Sequence, residues 1–330
     1  MALSTTTRVG FAFQSAFQAT NATAIMSVPV DPPTFSLVYD VINDQTFRGD
    51  PVVDFDVYQG VKRIEVSADG PFYPEETGYF LKAIMGSEIF TAGSGVLTGT
   101  HIFHGLAQPS AATFFVTDDV ISPSGGLTQK WLGLLASSFG LRFSAAEGIL
   151  TYTSTWTGRD KPIGTSAATL PAYSTTLKPW LGWQADIVNT GGSGSTWQDD
   201  VLDFEMTINR APSLLYTANN TQLAQRGDAG PIECTGRITV DFRTLSQLDD
   251  FENNQEVSSV ITITRGTSGT STIRTFTIEI PRMHFLDAPA EIQRGGVSIA
   301  LQYSFRAVGS AAYKSPVKFT LINSQNTAYL

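Results

Sequence analysis

Apolar and polar residues alternate with a period of two along most of this chain. In Ile64-Glu65-Val66-Ser67-Ala68-Asp69 every second residue is apolar. Leu202, Phe204, Met206 and Ile208 alternate in the same way with Asp203, Glu205, Thr207 and Asn209. Successive side chains of a strand point to opposite faces, so this spelling buries one face and wets the other, as half-buried antiparallel strands do. Ile149 to Trp156, Val260 to Thr264, Thr275 to Ile280 and Val297 to Val308 read the same way, rich in Thr, aromatic and β-branched residues. Helical spelling is confined to two short stretches. Pro74 to Gly86 (PEETGYFLKAIMG) has Pro at its first position, two acids in its first turn and a Gly stop. Thr244 to Asn254 spaces Leu245, Leu248 and Phe251 three apart. The expected fold class is mainly β.

The two helices frame an internal repeat. Arg48-Gly49-Asp50 precedes Arg63-Ile64-Glu65-Val66 and then the first helix; Arg226-Gly227-Asp228 precedes Arg237-Ile238-Thr239-Val240 and then the second. After each helix come an extended run (Thr113 to Thr117; Ile261 to Arg265), a longer apolar strand (Trp131 to Phe143; Phe276 to Phe285) and a terminal strand after glycine (Gly148 to Gly158; Gly296 to Val308). A chain of 330 residues accommodates two domains of roughly 150 residues or one large all-β domain. The repeat favours two: residues 1–160 with an N-terminal arm, a Pro/Thr/Ala/Ser-rich linker at 161–179, and residues 180–330 with a C-terminal arm.

Composition narrows the function. Hydrophobic residues make up 42%, with 21 Phe, which is enough for a core and excludes global disorder. Charged residues are only 15%, against about 25% in an ordinary soluble protein. The surface must then be built from Ser, Thr, Gly, Asn and Gln, as in β-rich proteins that share much of their surface with other subunits. With 21 basic and 30 acidic residues, a net of −9, a basic groove that grips nucleic acid is not expected. Neither a transmembrane helix nor a signal peptide is expected, since there is no run of 18 apolar residues and no apolar core in Met1 to Gly10. The single cysteine, Cys234, excludes an intrachain disulfide and a Cys-based zinc site, and fits synthesis in a reducing cytoplasm.

Signatures of chemistry are missing. There is no phosphate-binding loop, His-Glu-x-x-His or Cys-x-x-Cys, and Gly93-Ser94-Gly95 lacks the spacing and following helix of a dinucleotide loop. His101 and His104 fall on opposite faces of a strand and cannot share a metal without a bend. Gly192 to Ser195 has no helix after it to make a nucleophile elbow. Asp199, Asp200, Asp203 and Glu205 lack the pattern of a calcium loop and read as a solvated strand face. Both Arg-Gly-Asp tripeptides read as turns, and Cys234 as a buried structural thiol. No cofactor, metal or catalytic residue is expected.

Two segments carry a family resemblance. Gly70 to Gly86 (GPFYPEETGYFLKAIMG) follows the strand Val61–Ala68, and Phe139 to Asp160 (FGLRFSAAEGILTYTSTWTGRD) contains Leu141-Arg142-Phe143-Ser144, Glu147-Gly148-Ile149-Leu150 and Trp156-Thr157-Gly158-Arg159. These resemble the major tail (tail tube) protein of long-tailed bacteriophages. Ile280-Pro281-Arg282-Met283 followed by Gly295-Gly296-Val297 is similar to the second half of its longer members.

The resemblance implies tandem β-sandwich domains, each with a short flanking helix, that close into β-barrel rings and stack into a hollow tube in the virion tail. It implies four strands per domain and six domains per ring. Such a barrel of 24 strands, at about 4.8 Å spacing and about 40° tilt, has a backbone diameter of roughly 48 Å, wider than hydrated duplex DNA. With a duplicated chain, three copies make a pseudo-sixfold trimer; a hexamer stays open. Implied partners are further copies of the chain, the tail terminator, tape measure and distal tail proteins, and DNA passing without specific binding. A basic lumen would hold the phosphates, so acids are expected to line it, with Glu65, Asp203, Glu205, Asp241 and Glu279 as candidates. Gly86–Gly99 and Asn209–Pro231 are candidate loops between stacked rings. The rival readings are a carbohydrate-binding or adhesin β-sandwich using Trp180, Trp183 and Trp197, and a hydrolase on a β-scaffold.

Overall fold

The computed structural model describes the chain except residues 1–7, 20–23, 47, 50, 94–98, 107, 118–127, 147, 163–169, 172–177, 192–195, 199–200, 242–244, 267–272, 288–289, 293–298, 311–313 and 330. The described residues are mostly strand. The first half contains β1 (Arg8–Phe13), β2 (Met26–Ser27), β3 (Thr34–Asp44), β4 (Asp56–Pro71), α1 (Gly78–Met85), β5 (Gly86–Ala92), β6 (Gly99–Gly105), β7 (Ala112–Thr117), β8 (Thr128–Ser144) and β9 (Thr151–Gly158). The second contains β10 (Ala185–Thr190), β11 (Thr196–Gln198), β12 (Val201–Asn209), β13 (Ser213–Leu215), β14 (Arg226–Asp228), β15 (Glu233–Asp241) and α2 (Leu245–Glu252). It ends with β16 (Val257–Arg265), β17 (Arg274–Asp287), β18 (Ala290–Ile292), β19 (Ile299–Ala307) and β20 (Lys318–Asn323).

The same antiparallel pairings recur in the two halves. In the first, β1 pairs with β2 and β7, β7 with β8, β8 with β9, β9 with β4 and β4 with β3. In the second, β10 pairs with β11 and β16, β16 with β17, β17 with β19, β19 with β15 and β15 with β12. α1 follows β4 as α2 follows β15. The additions differ: the β5–β6 hairpin follows α1, whereas β13–β14 sits between β12 and β15.

Two ladders join the halves. β12 pairs with β8, so one continuous ladder runs β3–β4–β9–β8–β12–β15–β19–β18. β20 lies between β17 and β6, giving a second ladder, β11–β10–β16–β17–β20–β6–β5. The buried faces share one apolar core drawn from both halves. Phe143 on β8 stacks on Phe204 of β12 with centroids 5.5 Å apart, and Phe72 stacks on Phe276 of β17 at 4.8 Å. α1 is buried on nearly every side, which suits its apolar spelling. Phe80 lies 5.2 Å from Tyr152, 5.7 Å from Phe11 and 6.1 Å from Phe114.

Several local expectations are revised. The first helix begins at Gly78, because Thr77 accepts from the Tyr73 amide through its hydroxyl at 2.9 Å and closes Pro74–Thr77 into a separate turn. It stops where expected, at Gly86, whose φ of 88° suits a residue without a Cβ. The loops expected at Gly86–Gly99 and Asn209–Pro231 contain the β5–β6 and β13–β14 hairpins. The second Arg-Gly-Asp is strand β14, its own Arg226 and Asp228 paired at 2.7 Å; Asp50 of the first lies outside the described residues. The segments read as terminal arms are built into the chain's own sheets through β1 and β20, and Tyr329 is fully buried.

Candidate functional site

The continuous eight-strand ladder has one buried and one open side. Ile64, Val66 and Ala68 of β4, Tyr152, Ser154 and Trp156 of β9, Leu141 and Phe143 of β8, Phe204, Met206 and Ile208 of β12, and Cys234, Ile238 and Val240 of β15 are buried. By the two-residue period, their neighbours point the other way. The open face therefore carries Glu65, Ser67 and Asp69, then Thr151, Thr153, Thr155 and Thr157, then Ser138, Arg142 and Ser144. It continues with Asp203, Glu205, Thr207 and Asn209, then Glu233, Thr235, Arg237, Thr239 and Asp241, then Gln302, Ser304 and Arg306. This is a broad, convergent hydroxyl surface with charges of both signs set into it.

Register fixes how those charges meet. Arg142, Glu205 and Arg237 stand opposite one another on three adjacent strands. Arg306 is ion-paired with Glu233. Arg63 bonds Glu65 at 3.1 Å and Asp40 at 2.9 Å, and its guanidinium is pushed above its ordinary range chiefly by the Glu65 hydrogen bond. Each arginine thus has a carboxylate beside or across from it. The acids Glu65, Asp69, Asp203, Glu205, Glu233 and Asp241 outnumber Arg63, Arg142, Arg237 and Arg306.

Of the candidates read from the sequence, Glu65, Asp203, Glu205 and Asp241 share this face. Glu279 does not: it lies where β17 pairs with β16 and β20, and Lys318 holds it at 2.5 Å. The sequence reading missed the interleaved arginines. Their signal was present, since Arg142 and Arg237 fall on the same parity as the neighbouring polar residues of their strands.

The other candidate positions have structural surroundings. His101 is fully buried; its Nδ1 lies 2.7 Å from the Glu88 carboxylate and its Nε2 2.9 Å from the Gln325 carbonyl. Burial alone would raise Glu88, but His101, the Tyr329 amide and Lys82 hold its carboxyl below the usual range. His104 bonds Ser87 at 3.1 Å. Cys234 is buried, and burial pushes its thiol up to about 12. Trp180 is fully buried against Phe72 and Phe276, while Trp183 is 70% exposed, so the two cannot line one sugar-binding groove; the Trp197 side chain lies outside the described residues. Asp199, Asp200 and Gly192–Ser195 lie outside them too. Among the described residues no three His, Cys, Asp or Glu side chains gather as a metal site, and no helix is long and apolar enough to cross a membrane.

A family model described as phage tail tube protein matches residues 4–307, nearly the whole chain. No curated protein matches it.

Proposed function

The chain belongs to the phage tail tube protein family, and from that membership we propose that it polymerises as stacked rings into a hollow virion tail tube that conducts the DNA genome. It is a structural subunit. Each copy contributes two tandem units, residues 1–160 and 180–330 joined by 161–179, and three copies close a pseudo-sixfold ring. The observation that carries this reading is the continuous ladder. Four of its strands come from each half, both of its outer edges lack a partner strand among the described residues, and one side is buried while the other is polar. Three such ladders supply 24 strands, a barrel roughly 48 Å across at ordinary spacing and tilt, with the open face turned inward.

The open face suits passage without adhesion. Duplex DNA carries one negative charge per about 1.7 Å of its axis, and each unopposed cation on the wall would hold a phosphate by releasing a counterion. Here the arginines are set beside carboxylates, and the acids are in excess. Glu65, Asp203, Glu205 and Asp241 would face the lumen. Further partners are the tail terminator, tape measure and distal tail proteins at the ends of the tube.

Electron microscopy of the concentrated protein tests the tube: hollow rings or tubes are expected, and dispersed monomers would refute it. The lumen is tested by Asp203→Lys/Glu205→Lys in tubes of normal appearance. Salt-dependent retention of linear DNA should appear in the variant and be absent from the wild type; equal behaviour would refute the inward orientation.

A further inference from the structure

This inference rests on the ring proposed above and names the surface that makes it. The two halves of the chain share a distinctive irregularity. The β8–β9 ladder skips a residue between Ala136 and Ser138, opposite Trp156 and Thr155. The β17–β19 ladder skips one between Phe285 and Asp287, opposite Phe305 and Ser304. Matching the halves on this bulge sets Ser138 on Asp287. Three residues on, it sets Leu141 on Ala290, and these face Tyr152 and Leu301, which correspond as well. β17 and β18 together thus occupy the place of the C-terminal part of β8.

The other edge follows by the same steps. Val66 and Gly236 face Trp156 and Phe305, and Phe35 and Met206 face Val66 and Gly236. β3 therefore stands where β12 stands in the second half. Within the chain, β12 pairs with β8 from Asp203↔Ser144 to Asn209↔Ser138. Their counterparts, β3 and β17–β18, are the two outer edges of the ladder and lie at its opposite ends.

We propose that β3 of one copy pairs antiparallel with the β17–β18 edge of the next, in the register of the internal β8–β12 joint. Val38 then takes the part of Asn209 opposite Asp287, Phe35 faces Ala290, and Thr34 faces Glu291. The exposures agree. Ile208 is fully buried at the internal joint, whereas Leu37, its counterpart on the open edge, is 38% exposed and Leu286 on the other edge is 62% exposed. An edge of eleven residues left bare would be a template for uncontrolled pairing. The register opposes no like charges. The Arg210 amide bonds the Ser137 carbonyl at 2.7 Å, so Asn209↔Ser138 and Thr207↔Gly140 are non-hydrogen-bonded pairs.

Cysteine pairs test the register. Non-hydrogen-bonded pairs bring Cα atoms to about 4.5 Å, within reach of a disulfide. The native Cys234 is buried and stays silent. Val38→Cys/Asp287→Cys, oxidised in assembled protein, should give ladders of linked copies on a non-reducing gel, and each single variant should remain a monomer. Thr34→Cys/Glu291→Cys reads the same register should the first pair disturb folding. Asp40→Cys/Asp287→Cys is displaced by two residues, about 7 Å along the strand, and should not link. Rings that form without linking either in-register pair, or that link only the displaced pair, would overturn the register and leave the tube reading standing. Wild-type protein that never assembles would overturn both.

Discussion

Glu76 offers a sharp test of how the first half is packed. It precedes α1, and its Oε2 is buried with no hydrogen-bond partner among the described residues. Burial, with a smaller contribution from the neighbouring Glu75 charge, pushes its carboxyl from an ordinary 4.5 up to about 8. The folded-state value is raised, so the stability it preserves is complete below pH 4.5. As pH rises from 4.5 to 8, the unfolded chain gives up this proton while the folded chain keeps it. Stability should fall by about 1.4 kcal/mol per pH unit, approaching 5 kcal/mol by pH 8. Glu76→Gln removes the titration. Its amide leaves an unsatisfied polar group that adds a pH-independent offset of about 1–3 kcal/mol, so the slope is the observable. Urea unfolding of unassembled subunits should give a difference, variant minus wild type, that climbs by several kcal/mol in favour of the variant between pH 5 and pH 8. A difference that stays flat across that range would refute the buried, neutral carboxyl.

Two further substitutions probe how the chain closes on itself. Tyr329→Ala removes a fully buried ring packed 4.6 Å from both Tyr79 and His101 and should cost about 3–5 kcal/mol in urea unfolding; a loss below about 1 kcal/mol would show the C-terminal segment to be a dispensable arm. Gly86→Val forces a β-branched residue to a φ of 88° with its Cβ 3.1 Å from Leu106 and Pro109, and should cost about 1–3 kcal/mol by the same measurement; an unchanged midpoint would refute the left-handed cap.

The open face was legible in the sequence because its signal is local. The alternation from Ile64 to Asp69 and from Phe204 to Asn209 matches which residues of β4 and β12 are buried and which are wet; Leu202, spelled for the buried face, is instead 40% exposed, where the β12–β15 register shifts between Val201 and Asp203. The order of elements in the repeat was legible for the same reason, since each helix and strand has its own periodicity. What joins the halves was not. The β8–β12 and β20–β6 pairings link residues far apart in the chain, and period-two spelling states which face a strand buries without naming its neighbour. Glu279 shows the consequence: its alternation resembles that of Glu205, yet β17 carries it into the other ladder. The burial of His101 was not legible either, because its surroundings are supplied by Glu88 and by Gln325, which lies 224 residues away.

The central claim is that two units in one chain make three copies sufficient to close a ring. Native mass measurement of a single ring, released from tubes or captured before stacking, tests it most directly. With a chain of 35.6 kDa, a trimer is expected at about 107 kDa. A ring of six copies, near 214 kDa at the same chain mass, would contradict the account.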